Sequence, residues 1–238
     1  MTPERKQKLL QVLQRRQPDL TLIAERVHKP RNLAALLRNA DAVGIHQVHT
    51  VAPKAGYRYS GTALGSDRWV STQQHETFAE AAEAVRAQGM KIYAAHLSGR
   101  ALDYRLVDYT APCAILFGAE KQGVGEEAQA QADEHIIIPM MGMVSSLNVS
   151  TAAGIILVEA QQQRLAAGLY DQPRLSVEEI ARCLFEWSNR KLALFCRDRG
   201  LAYPPYDGEG ELIDAPGWNR RLQQGQVPRQ DWSATPLL

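Results

Sequence analysis

The chain has no apolar run long enough to span a membrane. Its N-terminus, Met1-Thr2-Pro3-Glu4-Arg5-Lys6-Gln7-Lys8, lacks the apolar core of a secretory signal. Cysteine is scarce: Cys113, Cys183 and Cys196 leave an odd number and show no metal-ligand spacing. That excludes a disulfide framework and points to a reduced, cytoplasmic compartment. No cluster of His, Cys, Asp and Glu has metal spacing, so no metal is expected. The phosphate loop GxxxxGK[ST] and the dinucleotide fingerprint GxGxxG are both missing, which argues against a nucleotide-metabolising α/β enzyme. Gly208-Glu209-Gly210 lies in the tail with no helix pattern after it. No Gly-x-Ser-x-Gly elbow marks a serine hydrolase, and no internal repeat or low-complexity segment is present.

The 238 residues suffice for one large domain, or one domain with extensions. The formal net charge of +1 conceals an asymmetry. Residues 1–38 carry nine Lys/Arg against three acids, residues 39–173 nine against fourteen, and the remainder nine against nine. A basic N-terminal segment on an acidic body suits a polyanion partner, although a solvated helix face would carry the same charges.

Thr2 and Pro3 open a helix with an apolar stripe at Leu9, Leu10, Val12 and Leu13, broken at Pro18-Asp19. Strands are expected at 20–27, 47–52, 69–73, 91–97, 113–117 and 135–138. Helices are expected from about Asn32 to Gly44, from Thr77-Phe78-Ala79-Glu80 (a capping box) to Gly89, over 126–133 and over 149–166. Residues 54–67 read as a loop with a short helix. This alternation predicts an α/β fold, a mostly parallel sheet flanked by helices on both faces. Ser176-Val177-Glu178-Glu179 opens one or two further helices to about residue 200. The tail from Tyr203 reads as irregular, with Trp218 and Trp232 as docking anchors.

Three polar segments end strands or begin helices, where open α/β sheets bind ligands. The first is His28-Lys29-Pro30-Arg31-Asn32, with Arg38 further along the same helix. The second is Leu116-Phe117-Gly118-Ala119-Glu120-Lys121-Gln122-Gly123. The third is Ile137-Ile138-Pro139-Met140 through Ser145-Ser146-Leu147-Asn148-Val149-Ser150. Each polar residue also has an ordinary structural role open to it. Asn32, Glu120, Ser146 and Asn148 could cap helices, and Arg38 could pair with Asp41 or Glu25. His46 and His49 read as structural or exposed. His96, near a strand's carboxyl end, is a stronger site candidate.

Together, and in this order, the three segments resemble the TrmH family of the SPOUT class, S-adenosylmethionine-dependent RNA ribose 2′-O-methyltransferases. The resemblance covers roughly residues 20–165. The basic first helix, with Arg15-Arg16-Gln17-Pro18-Asp19-Leu20, and the helical C-terminal extension are similar to the tRNA-specific subgroup, which modifies the D-loop guanosine at position 18. The resemblance implies a deep trefoil knot in the C-terminal part of the sheet and a homodimer with its site near the subunit interface. It divides the chain into a basic N-terminal helix at 1–19, a knotted methyltransferase domain at 20–168 and a C-terminal extension at 169–238.

It also implies catalytic roles for Asn32, Arg38, Glu120, Ser146 and Asn148. S-adenosylmethionine would lie against loops containing Ala95, His96 and Leu97, Gly118, Ile138 and Met140, and Leu147. Backbone groups would do much of that binding, which fits the missing dinucleotide fingerprint. tRNA phosphates would meet Arg5, Lys8, Arg15, Arg16, Arg26 and Arg31. The alternatives are the same chemistry on ribosomal RNA, or a knotted RNA-binding protein without catalysis. The polar set argues against the second, since a pure binder has no need of it.

Overall fold

The computed structural model describes residues 2–52 and 68–232; the loop expected at 54–67 lies outside them. The chain forms two compact units, Gln17–Gln172, and Met1–Arg16 with Pro173–Leu238.

The first unit is built on a sheet of seven strands among the described residues: β1 (Leu20–Glu25), β2 (Gln47–Val51), β3 (Ser71–His75), β4 (Lys91–Ala95), β5 (Leu102–Asp103), β6 (Cys113–Phe117) and β7 (Glu134–Ile137). Every pairing is parallel, in the order β3-β2-β1-β6-β4-β7-β5. Parallel strands must be covered on both faces, and β1 and β6 are buried along their whole length. Leu20, Leu22, Cys113, Ile115 and Phe117 point into one core, shared with α2 (Pro30–Ala42) and α5 (Val149–Ala166). Ile23, Ala114 and Leu116 point into the other, under α3 (Phe78–Arg86) and α4 (Glu126–Gln131).

Several boundaries differ from the sequence expectation for identifiable reasons. β1 stops at Glu25 rather than Val27 because Arg26 takes φ 53°, outside the extended region. α2 begins at Pro30 rather than Asn32, since proline is pre-set for the first helical position. Thr77 caps α3 by accepting the Glu80 N–H at 3.3 Å. Glu80 reaches back to the Glu76 N–H at 3.0 Å, one residue beyond the box partner. β3 runs two residues later than expected. β5 and the 3-10 turn at Tyr104–Leu106 went unforeseen, because two paired residues carry no periodicity.

One buried ion pair ties this unit together. Arg164 on α5, fully buried, donates to Asp19 Oδ1 at 2.7 Å, Gln17 Oε1 at 3.0 Å and the Tyr109 carbonyl at 2.8 Å. His46 and His49 are both buried, and His49 Nδ1 lies 2.9 Å from His75 Nε2 across β2 and β3.

The second unit is helical. It contains α1 (Pro3–Leu13), α6 (Val177–Ser188), α7 (Arg190–Asp198) and α8 (Ala215–Gln223). Thr2 caps α1, and Ser176 with Glu179 forms the complete capping box of α6. α8 corrects the expectation of an irregular tail. Asp214 accepts the Gly217 N–H at 2.8 Å and Pro216 occupies the first turn, a start signal hidden among the turn-forming residues. Trp218 does anchor the tail, buried with Cys196, Leu201 and Val227, and the Trp232 ring packs at a tilt on Tyr203. All three cysteines are free and buried. Among the described residues no helix is long and apolar enough to cross a membrane.

Candidate active site

A cavity of about 890 Å³ opens beyond the carboxyl ends of β4, β6 and β7. Its walls are Ala95, His96 and Leu97 at the end of β4, Phe117 to Gly123 at the end of β6, Ile136 to Ile138 with Met140 at the end of β7, and residues 142–149 leading into and opening α5. The expected cofactor residues Ala95, Leu97, Gly118, Ile138, Met140 and Leu147 all line it, as do Glu120, Ser146 and Asn148. Three turns separated in sequence meet there because β4 lies between β6 and β7 in the sheet.

The polar centre is Glu120. One carboxylate oxygen accepts the His28 N–H at 3.1 Å, and the other accepts the Lys29 N–H at 3.1 Å and the Asn32 side-chain amide at 2.7 Å. Asn32 in turn accepts from the Asn148 amide at 3.4 Å. Asn148 Oδ1 caps α5 through the Ser150 N–H at 2.9 Å. Glu120 therefore anchors the start of α2 rather than capping the helix that follows it. Burial pushes its carboxyl upward, but the N–H donors from Asn32, His28, Lys29 and its own turn outweigh that and lower it below the usual carboxylate range. Asn39 closes the other side of the α2–α5 seam, donating to the Ser150 carbonyl at 2.7 Å.

The turn that carries Glu120 depends on Gly118. A Cβ there would overlap the backbone of Gly123 and the Val124 nitrogen. Ala119 and Gly123 exchange backbone hydrogen bonds of 3.0 and 2.8 Å, with Gly123 at φ 68°. The turn is thus folded back on itself against the cavity wall. On the β4 side, His96 stacks edge-on against His135 at 5.2 Å, and burial followed by the neighbouring His135 lowers its pKa. Ser98 and Arg100 hold the His135 ring at 2.8 Å each.

Arg38 stands apart. It is exposed on α2, does not line the cavity, and has no hydrogen-bond or ion-pair partner among the described residues. Of the basic residues expected to meet RNA, Arg5, Lys8, Arg15, Arg26 and Arg31 are exposed. Arg16 is the exception and corrects that set. It is fully buried with its guanidinium 5.7 Å from the Trp187 ring centre, so it sits within the helical unit's core instead of on a face open to phosphate. Sequence reasoning assigned no role to Lys29, Lys121 or Asn39, although all three stand beside residues it did single out.

The donor set fits a sulfonium nucleoside cofactor. The cavity is of small-molecule size, walled by backbone and aliphatic groups with a few fixed polar side chains. Fold and cavity together define an α/β enzyme with its ligand beyond the carboxyl ends of parallel strands.

The chain matches the SpoU rRNA Methylase family over residues 19–158 and the SpoU rRNA methylase C-terminal region over residues 162–215. It belongs to the SpoU rRNA Methylase family. It is 47% identical over 222 residues to the tRNA (guanosine(18)-2′-O)-methyltransferase of Escherichia coli (strain K12), covering 92% of this chain and 97% of that protein. The crystal structure of the Aquifex aeolicus TrmH/SpoU tRNA modifying enzyme is similar, with TM-score 0.73, 38% identity, and coverage of 79% of this chain and 97% of that one. A second likeness is to the SpoU methyltransferase AviRb from Streptomyces viridochromogenes in complex with AdoMet, with TM-score 0.57, 27% identity, and coverage of 63% and 62%. The expected TrmH/SpoU membership is therefore borne out.

Proposed function

We infer that this chain transfers a methyl group from S-adenosylmethionine to the ribose 2′-oxygen of guanosine 18 in the tRNA D-loop. The observation that carries the reading is the Glu120–Asn32–Asn148 chain of hydrogen bonds, set at a strand-end cavity in a chain 47% identical to a tRNA guanosine-18 methyltransferase. The bound cofactor would supply an electrophilic methyl group. Backbone and aliphatic groups of Ala95, Leu97, Gly118, Ile138, Met140 and Leu147 would hold it. Ser146 and Asn148 orient the ribose, and Asn32 and Glu120 fix the start of α2 relative to the cavity.

Arg38 is read as a fixed cation that stabilises the developing alkoxide or grips an adjacent phosphate. A guanidinium is a poor base in proteins, so proton removal by Arg38 itself is disfavoured.

The same reading makes the active form a homodimer. Arg38 lies outside the cavity lining of its own chain. α5 packs one face into the core through Ala153, Ile156, Leu157 and Ala160, and also exposes Val158 and Leu165, at 50% and 49%. A second copy across this face would cover the apolar residues and bring an Arg38 to a site. The reading includes a trefoil knot, supported by the non-sequential strand order around β4 and the likeness to the Aquifex aeolicus structure. It includes work in the cytoplasm, where tRNA is processed. Residues 20–168 form the methyltransferase domain, with 1–19 and 169–238 as the RNA-facing additions. Arg5, Lys8, Arg15, Arg26 and Arg31 supply phosphate contacts, giving affinity that falls with salt.

The test is incubation with labelled methyl donor and either total tRNA or ribosomal RNA, followed by mapping of the modified ribose. Label at guanosine 18 of tRNA is expected. Label on ribosomal RNA alone overturns the substrate, and failure to take up the methyl donor overturns the activity.

A further inference from the structure

Two lysines without an assigned role flank the polar centre. The Lys29 N–H is one of the donors to Glu120, and Lys121 is the residue after Glu120. Both line the cavity, both are exposed, and neither has an ion-pair partner among the described residues. Glu120 is the cavity's one acidic lining residue among those described, and its oxygens are occupied by three neutral N–H donors. The mouth of the site therefore carries two ammonium groups against a single carboxylate. They are anchored on either side of one hydrogen bond, so their spacing is set by the fold rather than by chance on a surface.

The substrate's chemistry decides what such a pair meets. In RNA the reacting 2′-oxygen sits on the carbon next to the one that bears the 3′-phosphodiester. Any binding mode that brings the 2′-oxygen to this cavity also brings that phosphate to its mouth. An unpaired, flexible ammonium is a suitable phosphate contact, since it needs no fixed bidentate geometry. We propose that Lys29 and Lys121 clamp the 3′-phosphodiester of the nucleotide being methylated, and so position its 2′-oxygen for transfer. This rests on the RNA 2′-O-methyltransferase reading above. The lysines are positioning residues, distinct from the basic residues that provide general RNA affinity.

The experiment uses the full chain with Lys29→Gln, Lys121→Gln and the double substitution. It measures binding of S-adenosylhomocysteine by calorimetry, tRNA binding across a salt series, and steady-state methylation. The double variant is expected to bind S-adenosylhomocysteine like the native protein. It should raise the tRNA KM at least tenfold, and it should flatten the plot of log affinity against log salt by about one unit, the change for one lost phosphate contact. Lys121→Arg should restore much of the loss in a background that keeps Lys29. An unchanged salt slope and tRNA KM in the double variant would overturn the clamp, as would parallel loss of S-adenosylhomocysteine binding, which would make the lysines part of the cofactor wall. Native protein that methylates no RNA would instead sink the underlying reading, so the two failures are distinguishable.

Discussion

The carboxylate of Glu120 accepts a 2.7 Å hydrogen bond from the side-chain amide of Asn32, 88 positions earlier in the chain. With its two bonds to the His28 and Lys29 N–H groups, this fixes the start of α2 against the turn after β6. Glu120→Ala leaves all three donors without their acceptor. Hydrogen bonds to charged groups contribute about 1.5–3 kcal/mol each. Native-like cofactor uptake with at least a hundredfold loss of methylation is expected. In a double-mutant cycle with Asn32→Ala, urea unfolding should show a coupling of about 0.5–3 kcal/mol. Strict additivity would mean that the two residues act independently.

Arg38→Ala is expected to abolish methylation while leaving the thermal melting point almost unmoved, because the side chain is exposed and unpartnered among the described residues. If Arg38 serves the partner's site, mixing and re-associating Arg38→Ala with Asn148→Ala protein should restore some activity through dimers that hold one intact site. No recovery in subunit-exchanged mixtures would show that Arg38 serves the site of its own chain.

Gly118→Ala forces a methyl group into the backbone of Gly123 and Val124, where neither neighbour is a flexible side-chain end. Overpacking of this kind costs about 1–3 kcal/mol, and more where only backbone can yield. The variant should lose S-adenosylhomocysteine binding by calorimetry. Unaltered binding would show that the turn tolerates rearrangement.

Arg164→Leu removes a buried guanidinium from Asp19, Gln17 and the Tyr109 carbonyl. Breaking a buried pair by deleting one partner costs about 3–5 kcal/mol. Arg164→Lys should recover only part of this, since an ammonium cannot reproduce the guanidinium's planar set of donors. Denaturant titration of the two variants reads the difference.

Stability should decline as pH falls from about 6.5 toward 4. Burial, and then the adjacent His75, hold His49 down to about 4, and burial lowers His75 against an upward pull from Glu80. An unfolded histidine takes up a proton near its ordinary value, so the unfolded state binds more protons throughout that window and gains on the folded state. The loss due to His49 should level off below about pH 4. The lowered Glu120 carboxyl then gives a separate loss, as pH falls through the acid range where it finally protonates. Urea melts of native protein and the His49→Leu/His75→Leu variant across this range test it. The variant should decline less than the native protein, retaining the part due to the lowered His96.

The sequence alone determined the alternation of strands and helices, and with it the two-faced parallel sheet. Runs such as Cys113 to Phe117 are apolar on both faces, and that is a local property. It also determined the cap at Asn148 and the box at Ser176, because caps act over three residues. The polar site residues could be named from three segments whose order matched a known pattern. What they do to one another was decided only by the tertiary structure. Strand order in a sheet is a long-range choice, and it is β4 lying between β6 and β7 that turns separate loops into one cavity. The same long-range packing aimed Glu120 at the start of α2, drew Arg16 into a core against Trp187, and left Arg38 outside the cavity. A charged side chain reads alike in sequence whether it is buried and paired or exposed and waiting for phosphate, and only the neighbours that folding supplies separate the two.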